Sequence, residues 1–305
     1  MIAPDFLKKG DRVAVVAPSS SISAEKVRRA CEVMRSWGYE PVTGPNVYRD
    51  ECPSDDGTDH YSGSVEERAS ELLSALESDE YKAIVCTRGG YGAIHLLDRI
   101  PLSAFRDRPK WIVGFSDITN LHAASVRAGV MSIHGNMCEA IGKDDGSCTT
   151  LRGLLSGVVP EYCIAPNPYN VAGSAEGTLV GGNMITVAAL FNTDFDMMAC
   201  GGDVILFIEE VGESMHSIDR LFNMFLHQKS MENVRGIVFG EFAECPRDLP
   251  YGSVEQMLSG YVGKLGIPVC FGFPAGHGKH NEPFVEGARV RLDVSDSKTC
   301  LSLQL

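Results

Sequence analysis

Hydrophobic and polar positions change period in blocks along the first half of the chain. Arg12-Val13-Ala14-Val15-Val16-Ala17-Pro18 is a continuous apolar run and predicts a short strand covered on both faces. From about Ser23 to Trp37 the period becomes helical, with Val27, Ala30, Cys31 and Met34 at i, i+3, i+4 and i+7 and Gly38 as the stop. Glu40-Pro41-Val42-Thr43 predicts a weak second strand, and residues 45–63, rich in Asp, Pro and Gly, read as a loop. Ser64-Val65-Glu66-Glu67 has the form of a capping box and opens a helix with Val65, Ala69, Leu72, Leu73 and Leu76 on one face. Tyr81–Cys86 predicts a third strand, which runs into Thr87-Arg88-Gly89-Gly90-Tyr91-Gly92 and then a helix. Lys110–Gly114 predicts the next strand, followed by a helix from Asp117 to Gly129 and a strand near Val130–Gly135. Strand and helix thus alternate, which implies a mostly parallel sheet with helices on both faces and ligand sites at the carboxyl ends of the strands.

The second half has a different pattern. Residues 158–177 are polar and carry Pro160, Pro166 and Pro168, and they read as a linker between a domain at 1–157 and another at 178–305. Beyond it, Thr178–Asn183 leads into an apolar helix at Met184–Phe191. Asp203–Ile208 is a strand ending in Glu209 and Glu210. A helix carries Ile218, Leu221, Phe222 and Phe225, Gly236–Phe239 is a strand, and Ser253-Val254-Glu255-Gln256 caps another helix. Ile267–Phe273 predicts a strand running into Pro274-Ala275-Gly276-His277-Gly278, and two strands, Phe284–Val294 and Leu301–Leu305, end the sequence. These elements predict a smaller mixed α/β domain.

Composition narrows the function. The 305 residues are 44% apolar and 22% charged, as in globular proteins with a large core. A net charge of −13 argues against nucleic acid and anionic membrane as partners, since both are polyanions. No apolar run reaches the ~18 residues that span a bilayer, and Met1-Ile2-Ala3-Pro4-Asp5 lacks the features of a signal peptide. The ten cysteines form no C-x-x-C pair, and several sit in apolar runs as small buried hydrophobes, so a reducing, cytoplasmic location is expected.

The stretch that carries most chemistry is Gly114-Phe115-Ser116-Asp117. A serine between a strand end and a helix start is lifted above the sheet, with helix N–H groups aimed at any negative charge that forms beside it. The simpler alternative is a turn in which Ser116 or Asp117 caps the helix. The loop Arg88–Gly92 is not a dinucleotide loop, because G-x-G-x-x-G counted from Gly90 would need glycine where His95 stands, and no phosphate loop of the G-x-x-x-x-G-K-[ST] form occurs. Its consecutive glycines suit either an oxyanion donor or a tight turn. Glu209 and Glu210, adjacent on a strand, point to opposite faces, a poor geometry for glycoside hydrolysis, and a solvated strand end is the plainer reading of both. His277 and His280 lie in a loop with no nearby Cys or carboxylate to complete a set, so no metal is expected. Serine at an elbow, carboxylate at a strand end and histidine after another strand are together the parts of Ser-His-acid hydrolysis, with the serine in one domain and the other two across an expected cleft.

These residues resemble those of the LD-carboxypeptidases, serine peptidase family S66, which also holds the microcin C immunity peptidases. The matching stretches are Val15–Ser19, Arg88–Gly92, Gly114–Asp117, Leu179–Asn183, Phe207–Glu210 and Gly276-His277, in family order. The resemblance implies an α/β fold with an N-terminal parallel-sheet domain like class I glutamine amidotransferases and a C-terminal swivelling β/α domain. It implies Ser116 as nucleophile, His277 as general base, Glu209 as orienting acid, and the backbone N–H groups of Gly90 and Asp117 as oxyanion hole, with no cofactor. It further implies a cytoplasmic homodimer that releases D-alanine from murein tetrapeptide. Only 92 residues separate Ser116 from Glu209, with no tryptophan among them. The immunity peptidases carry a longer insertion there, so the murein role is favoured over hydrolysis of a peptidyl- or aminoacyl-adenylate mimic. A non-catalytic protein that binds cell-wall peptides is the alternative from another class.

Overall fold

The computed structural model describes residues 1–49, 60–143 and 146–304. They divide into two compact units, Met1–Val158 with Pro283–Val285, and Val159–Glu282 with Glu286–Leu305. The first unit contains β1 (Arg12–Val16), α1 (Ala24–Ser36), β2 (Glu40–Thr43), α2 (Val65–Glu77), β3 (Tyr81–Cys86), α3 (Leu102–Asp107), β4 (Trp111–Gly114), α4 (Thr119–Ala128), β5 (Ser132–His134) and α5 (Gly146–Leu155). The second contains β6 (Glu161–Ile164), β7 (Gly173–Asn183), α6 (Met184–Ala189), β8 (Val204–Val211), α7 (Met215–His227), β9 (Val234–Ala243), α8 (Val254–Val262) and β10 (Val269–Cys270). The short β11 (Phe284–Glu286) begins in the first unit, and β12 (Arg289–Val294) and β13 (Thr299–Gln304) complete the second.

The six-stranded sheet has the order β11-β5-β4-β3-β1-β2, and its pairs from β5 through to β2 are parallel. Its central strands are buried on both faces, as continuous apolar runs require. Chain segments leaving β1, β3 and β4, three neighbours in the sheet, all emerge at its carboxyl edge. The capping box of α2 forms as expected, with Ser64 and Glu67 bonded reciprocally. Part of the loop read over residues 45–63 lies outside the described residues.

The seven-stranded sheet has the order β10-β9-β8-β7-β12-β13-β6 and changes from parallel to antiparallel at the β7–β12 pair. Two expectations differ here. Residues 158–177 are not a bare linker: they contain β6 and the start of β7, both paired in this sheet. Pro160 precedes β6, and Pro166 and Pro168 lie between the two strands, where no ladder N–H is needed. Cys163 and Cys300 stand directly opposite in the β6–β13 pair and form a disulfide, so they are not small core hydrophobes. Among the described residues no helix is long and apolar enough to cross a membrane.

Candidate active site

Ser116 follows β4 and opens a single 3₁₀ turn, Ser116–Ile118, that feeds α4. Its φ is +64°, a left-handed conformation that costs a non-glycine residue energy and that is held only by its surroundings. The N-cap positions of the 3₁₀ turn and of α4 are Phe115 and Ile118, neither with a side-chain cap bond, rather than Ser116 or Asp117. The strained turn is clamped from several directions. Beneath it, the buried His122 bonds Gly114 O through Nε2 at 2.8 Å and Ser132 Oγ through Nδ1 at 2.8 Å. A carbonyl can only accept, so Nε2 carries the proton and Nδ1 accepts from the serine. Burial pushes the pKa of His122 down to about 4, which keeps this brace neutral.

Asp117 is 5% exposed, and its carboxylate ties three segments together. It accepts from Ser19 Oγ at 2.6 Å, Ala93 N at 2.8 Å and Asn120 Nδ2 at 3.1 Å. Burial raises its pKa above the ordinary value; these hydrogen bonds and Arg68 oppose that shift without cancelling it. The glycine loop after β3 comes against the same turn. A methyl group placed on Gly89 would stand 3.0 Å from Ser116 Cβ and 3.4 Å from Asp117 N. Ser20 N donates to Gly89 O at 3.2 Å, and Tyr91 N donates to Ser20 Oγ at 3.2 Å. Ser116, the Gly89–Gly92 loop and Asp117 are thus one constellation at one sheet edge, and Ser19 and Ser20 lock it.

In the second unit, Glu209 is fully buried near the end of β8 and accepts from His277 Nδ1 at 2.6 Å. With Nδ1 donating, Nε2 is the basic nitrogen of the neutral ring. The loop can reach Glu209 only because residue 276 is glycine: at φ +121° a Cβ there would lie 2.7 Å from Glu209 Oε2. Glu209 Oε1 has no hydrogen-bond partner among the described residues, which makes the imidazole the main compensation for burying this carboxylate. Burial pulls the pKa of His277 down, but the hydrogen bond and charge of Glu209, with Glu210 and Glu244 adding, outweigh it, and the net shift is upward.

Glu210 departs from its expected role as a solvated carboxylate. It is 1% exposed and accepts from Asn183 Nδ2 at 2.7 Å, Ile185 N at 3.0 Å and Val211 N at 2.8 Å. Strand alternation does turn it away from Glu209, but the face it turns to is covered by α6 and its approach. Sequence pattern could not show this, nor the parts played by Ser19, Asn120 and His122, since each acts through a partner distant in sequence or on another element. Lone His280 has a carboxylate partner after all, Glu282 at 2.7 Å. Among the described residues one trio, Glu161, Cys163 and Cys300, brings metal-type ligand atoms within 4.8 Å of one another, and two of the three are spent on the disulfide. A cavity of about 670 Å³ beside α2, lined in part by Val15, Asn46 and Glu71, includes none of the residues of this constellation.

The first unit thus carries a strained serine at a strand-to-helix turn, and the second a buried histidine–glutamate pair. The chain belongs to the S66 peptidase family: residues 13–135 match the LD-carboxypeptidase N-terminal domain and residues 176–292 the LD-carboxypeptidase C-terminal domain. A Synechocystis protein named as a carboxypeptidase is 33% identical, over 96% of this chain and 94% of its own. The murein tetrapeptide carboxypeptidase of Pseudomonas aeruginosa is 28% identical over 92% and 93%. Among solved structures, the muramoyltetrapeptide carboxypeptidase of Oxalobacter formigenes superposes with a TM-score of 0.82 at 25% identity, covering 96% of this chain and 99% of that one. An MccF-like protein from Bacillus anthracis shares the fold, with a TM-score of 0.85 at 23% identity and 99% coverage of both.

Proposed function

We propose that the chain is a serine LD-carboxypeptidase that releases the C-terminal D-alanine of murein tetrapeptide. Ser116 is the nucleophile, His277 the base, Glu209 its orienting acid, and the N–H groups of Gly90 and Asp117 bind the oxyanion. The observation that carries the reading is the positive φ of Ser116 between β4 and α4, the strained conformation that a nucleophile elbow needs. The murein substrate is supported by the names of the relatives from Pseudomonas and Oxalobacter.

In this reaction Ser116 Oγ attacks the carbonyl carbon of the L,D-amide while His277 Nε2 takes its proton. The electron pair of the carbonyl moves to its oxygen, which the backbone N–H groups of Gly90 and Asp117 hold. Collapse of the tetrahedral intermediate breaks the C–N bond, and the imidazolium returns the proton to the departing D-alanine amine. Water, deprotonated by the same imidazole, then cleaves the acyl-serine. Glu209 fixes the tautomer and stabilises the imidazolium in both steps. Incubation with murein tetrapeptide and detection of D-alanine by mass spectrometry tests the reading. Turnover is expected from the wild type and almost none from Ser116→Ala, with an unchanged circular dichroism spectrum. A folded Ser116→Ala that kept most of its activity would overturn the mechanism.

A further inference from the structure

Arg68 sits in the first turn of α2 and is fully buried, yet the chemistry above gives it no part. Its hydrogen bonds go to carbonyl oxygens rather than to a carboxylate. Nε donates to Gly63 O at 3.2 Å, and Nη1 donates to Gly92 O at 2.9 Å and to Pro18 O. Nη2 has no partner among the described residues. A buried guanidinium held only by neutral acceptors is costly, so a compensating charge is expected close by. The face of the Tyr61 ring, its centroid 4.8 Å from the guanidinium carbon, supplies a small part of it.

Asp117 supplies the rest through a shared peptide group. Gly92 O, which accepts from Arg68, and Ala93 N, which donates to Asp117 Oδ2 at 2.8 Å, are the two ends of one peptide unit. The peptide is trans, so its C=O and N–H point in opposite directions and the unit lies between cation and anion. Its oxygen faces the guanidinium and its N–H faces the carboxylate, so its dipole favours both charges. A second arm runs beside it: Arg68 holds Pro18 O, and the next residue, Ser19, donates to the same Oδ2 at 2.6 Å. Burial works against both charges, and each favours the charged form of the other. The fit at residue 92 is close: at φ +123°, a Cβ there would lie 2.9 Å from Arg68 Nη1.

We propose that Arg68 is a positioning residue for Ser116: through the Gly92–Ala93 peptide and the Pro18 carbonyl it balances the charge of Asp117 and holds the glycine loop against the serine turn. This rests on the serine mechanism given above, in which the N–H groups of Gly90 and Asp117 bind the oxyanion. An unbalanced carboxylate on Asp117 would stand beside the negative charge that develops there and oppose it, and the buried cation offsets that field. Loss of Arg68 would also release Gly92 O, and with it the loop that carries Gly90. Glu71, one turn further along α2, provides a contrast. It accepts from Ala17 N at 2.8 Å and from Asn46 N at 2.9 Å, so it grips the same segment through neutral donors.

The experiment is a double-mutant cycle of Arg68→Met and Asp117→Asn. It is read by kcat for D-alanine release and by the rate at which a fluorophosphonate phosphonylates Ser116. The second readout needs the serine and its oxyanion donors but no murein substrate. Each single variant should lower both rates by about 10²-fold, the loss that a displaced reacting group brings, with KM within about threefold of wild type. The double variant should be no slower than the slower single one, because neither charge is then left buried alone. Glu71→Gln should lower the urea midpoint and keep both rates close to wild type. Losses that multiply in the double variant, or a Glu71→Gln as slow as Arg68→Met, overturn the proposal. If circular dichroism shows Arg68→Met unfolded, Arg68→Gln, which keeps a donor, takes its place in the cycle with the same expectation. Labelling of Ser116 that follows this cycle without any release of D-alanine would support the role of Arg68 and remove the murein substrate. A wild type neither labelled at Ser116 nor active overturns both.

Discussion

His122 and His277 are both buried imidazoles, and their surroundings drive them in opposite directions. His122 bonds only a carbonyl and a hydroxyl, so burial wins and its pKa falls to about 4. His277 meets the buried Glu209, and that carboxylate's hydrogen bond and charge outweigh burial. The consequence for His277 has two opposite signs. As the proposed base it must be neutral, so kcat/KM should decline as pH falls through a value above the ordinary histidine value of 6.5. Stability runs the other way: the protonated pair stabilises the fold below the unfolded pKa, and that increment fades as pH rises through the raised folded value. Rate profiles and urea midpoints over pH 5–9 should therefore show activity rising while this contribution to stability declines. An activity limb at or below 6.5, with chemistry limiting, would count against His277 as base. That Ser116 and His277 each follow a strand was legible in the sequence, from the apolar runs that precede them. His122 was not legible: a histidine inside a helix pattern gives no sign that its ring braces the carbonyl two residues before the serine.

Near the end of β8 one element serves two purposes, and alternation separates them. Glu209 meets the histidine, while Glu210 accepts the backbone N–H of Ile185 at the start of α6 and the amide of Asn183 at its N-cap. Glu210→Gln puts an amide NH₂ where a donor already points, so it should lower stability by about 1–3 kcal/mol and leave kcat within a few fold. Glu209→Gln should instead lower kcat by about 10²–10⁴, by analogy with acid-to-amide changes in other triads. Urea denaturation and kcat measured on both variants separate the roles, and a crippled kcat in Glu210→Gln alone would shift the acid by one residue. Strands and amphipathic helices were legible here because their periods are local. The burial of Glu210 depends on α6 lying over one face of the strand, and no period along β8 records that. Likewise β6 was hidden within a Pro-bearing passage, because a four-residue edge strand that pairs only with the distant β13 has too little pattern of its own.

At the scale of the whole molecule, the chain does not finish one unit before starting the other. Pro283–Val285 return to the first unit after most of the second has been laid down, so the first sheet's outer strand forms only when the C-terminal region is present. The second unit has the converse feature: β6, its first strand, lies at the edge of the sheet beside β13, its last. The Cys163–Cys300 disulfide joins these two across 137 residues of sequence, and Cys163 is exposed, so a reductant can reach it. A cross-link closing so long a loop restricts the unfolded chain strongly, and its loss should cost about 2–4 kcal/mol. The effect should be confined to the second unit, because both cysteines and both strands belong to it. Scanning calorimetry with and without a dithiol reductant, and on Cys300→Ser, checks this. Reduction should move only the part of the unfolding transition that belongs to the second unit, and Cys300→Ser should show the lower transition in either condition. A transition unmoved by reduction, with both thiols shown by mass spectrometry to be free, would leave the four-residue β6–β13 ladder and the packing of Tyr162 on Phe273 to hold the edge by themselves.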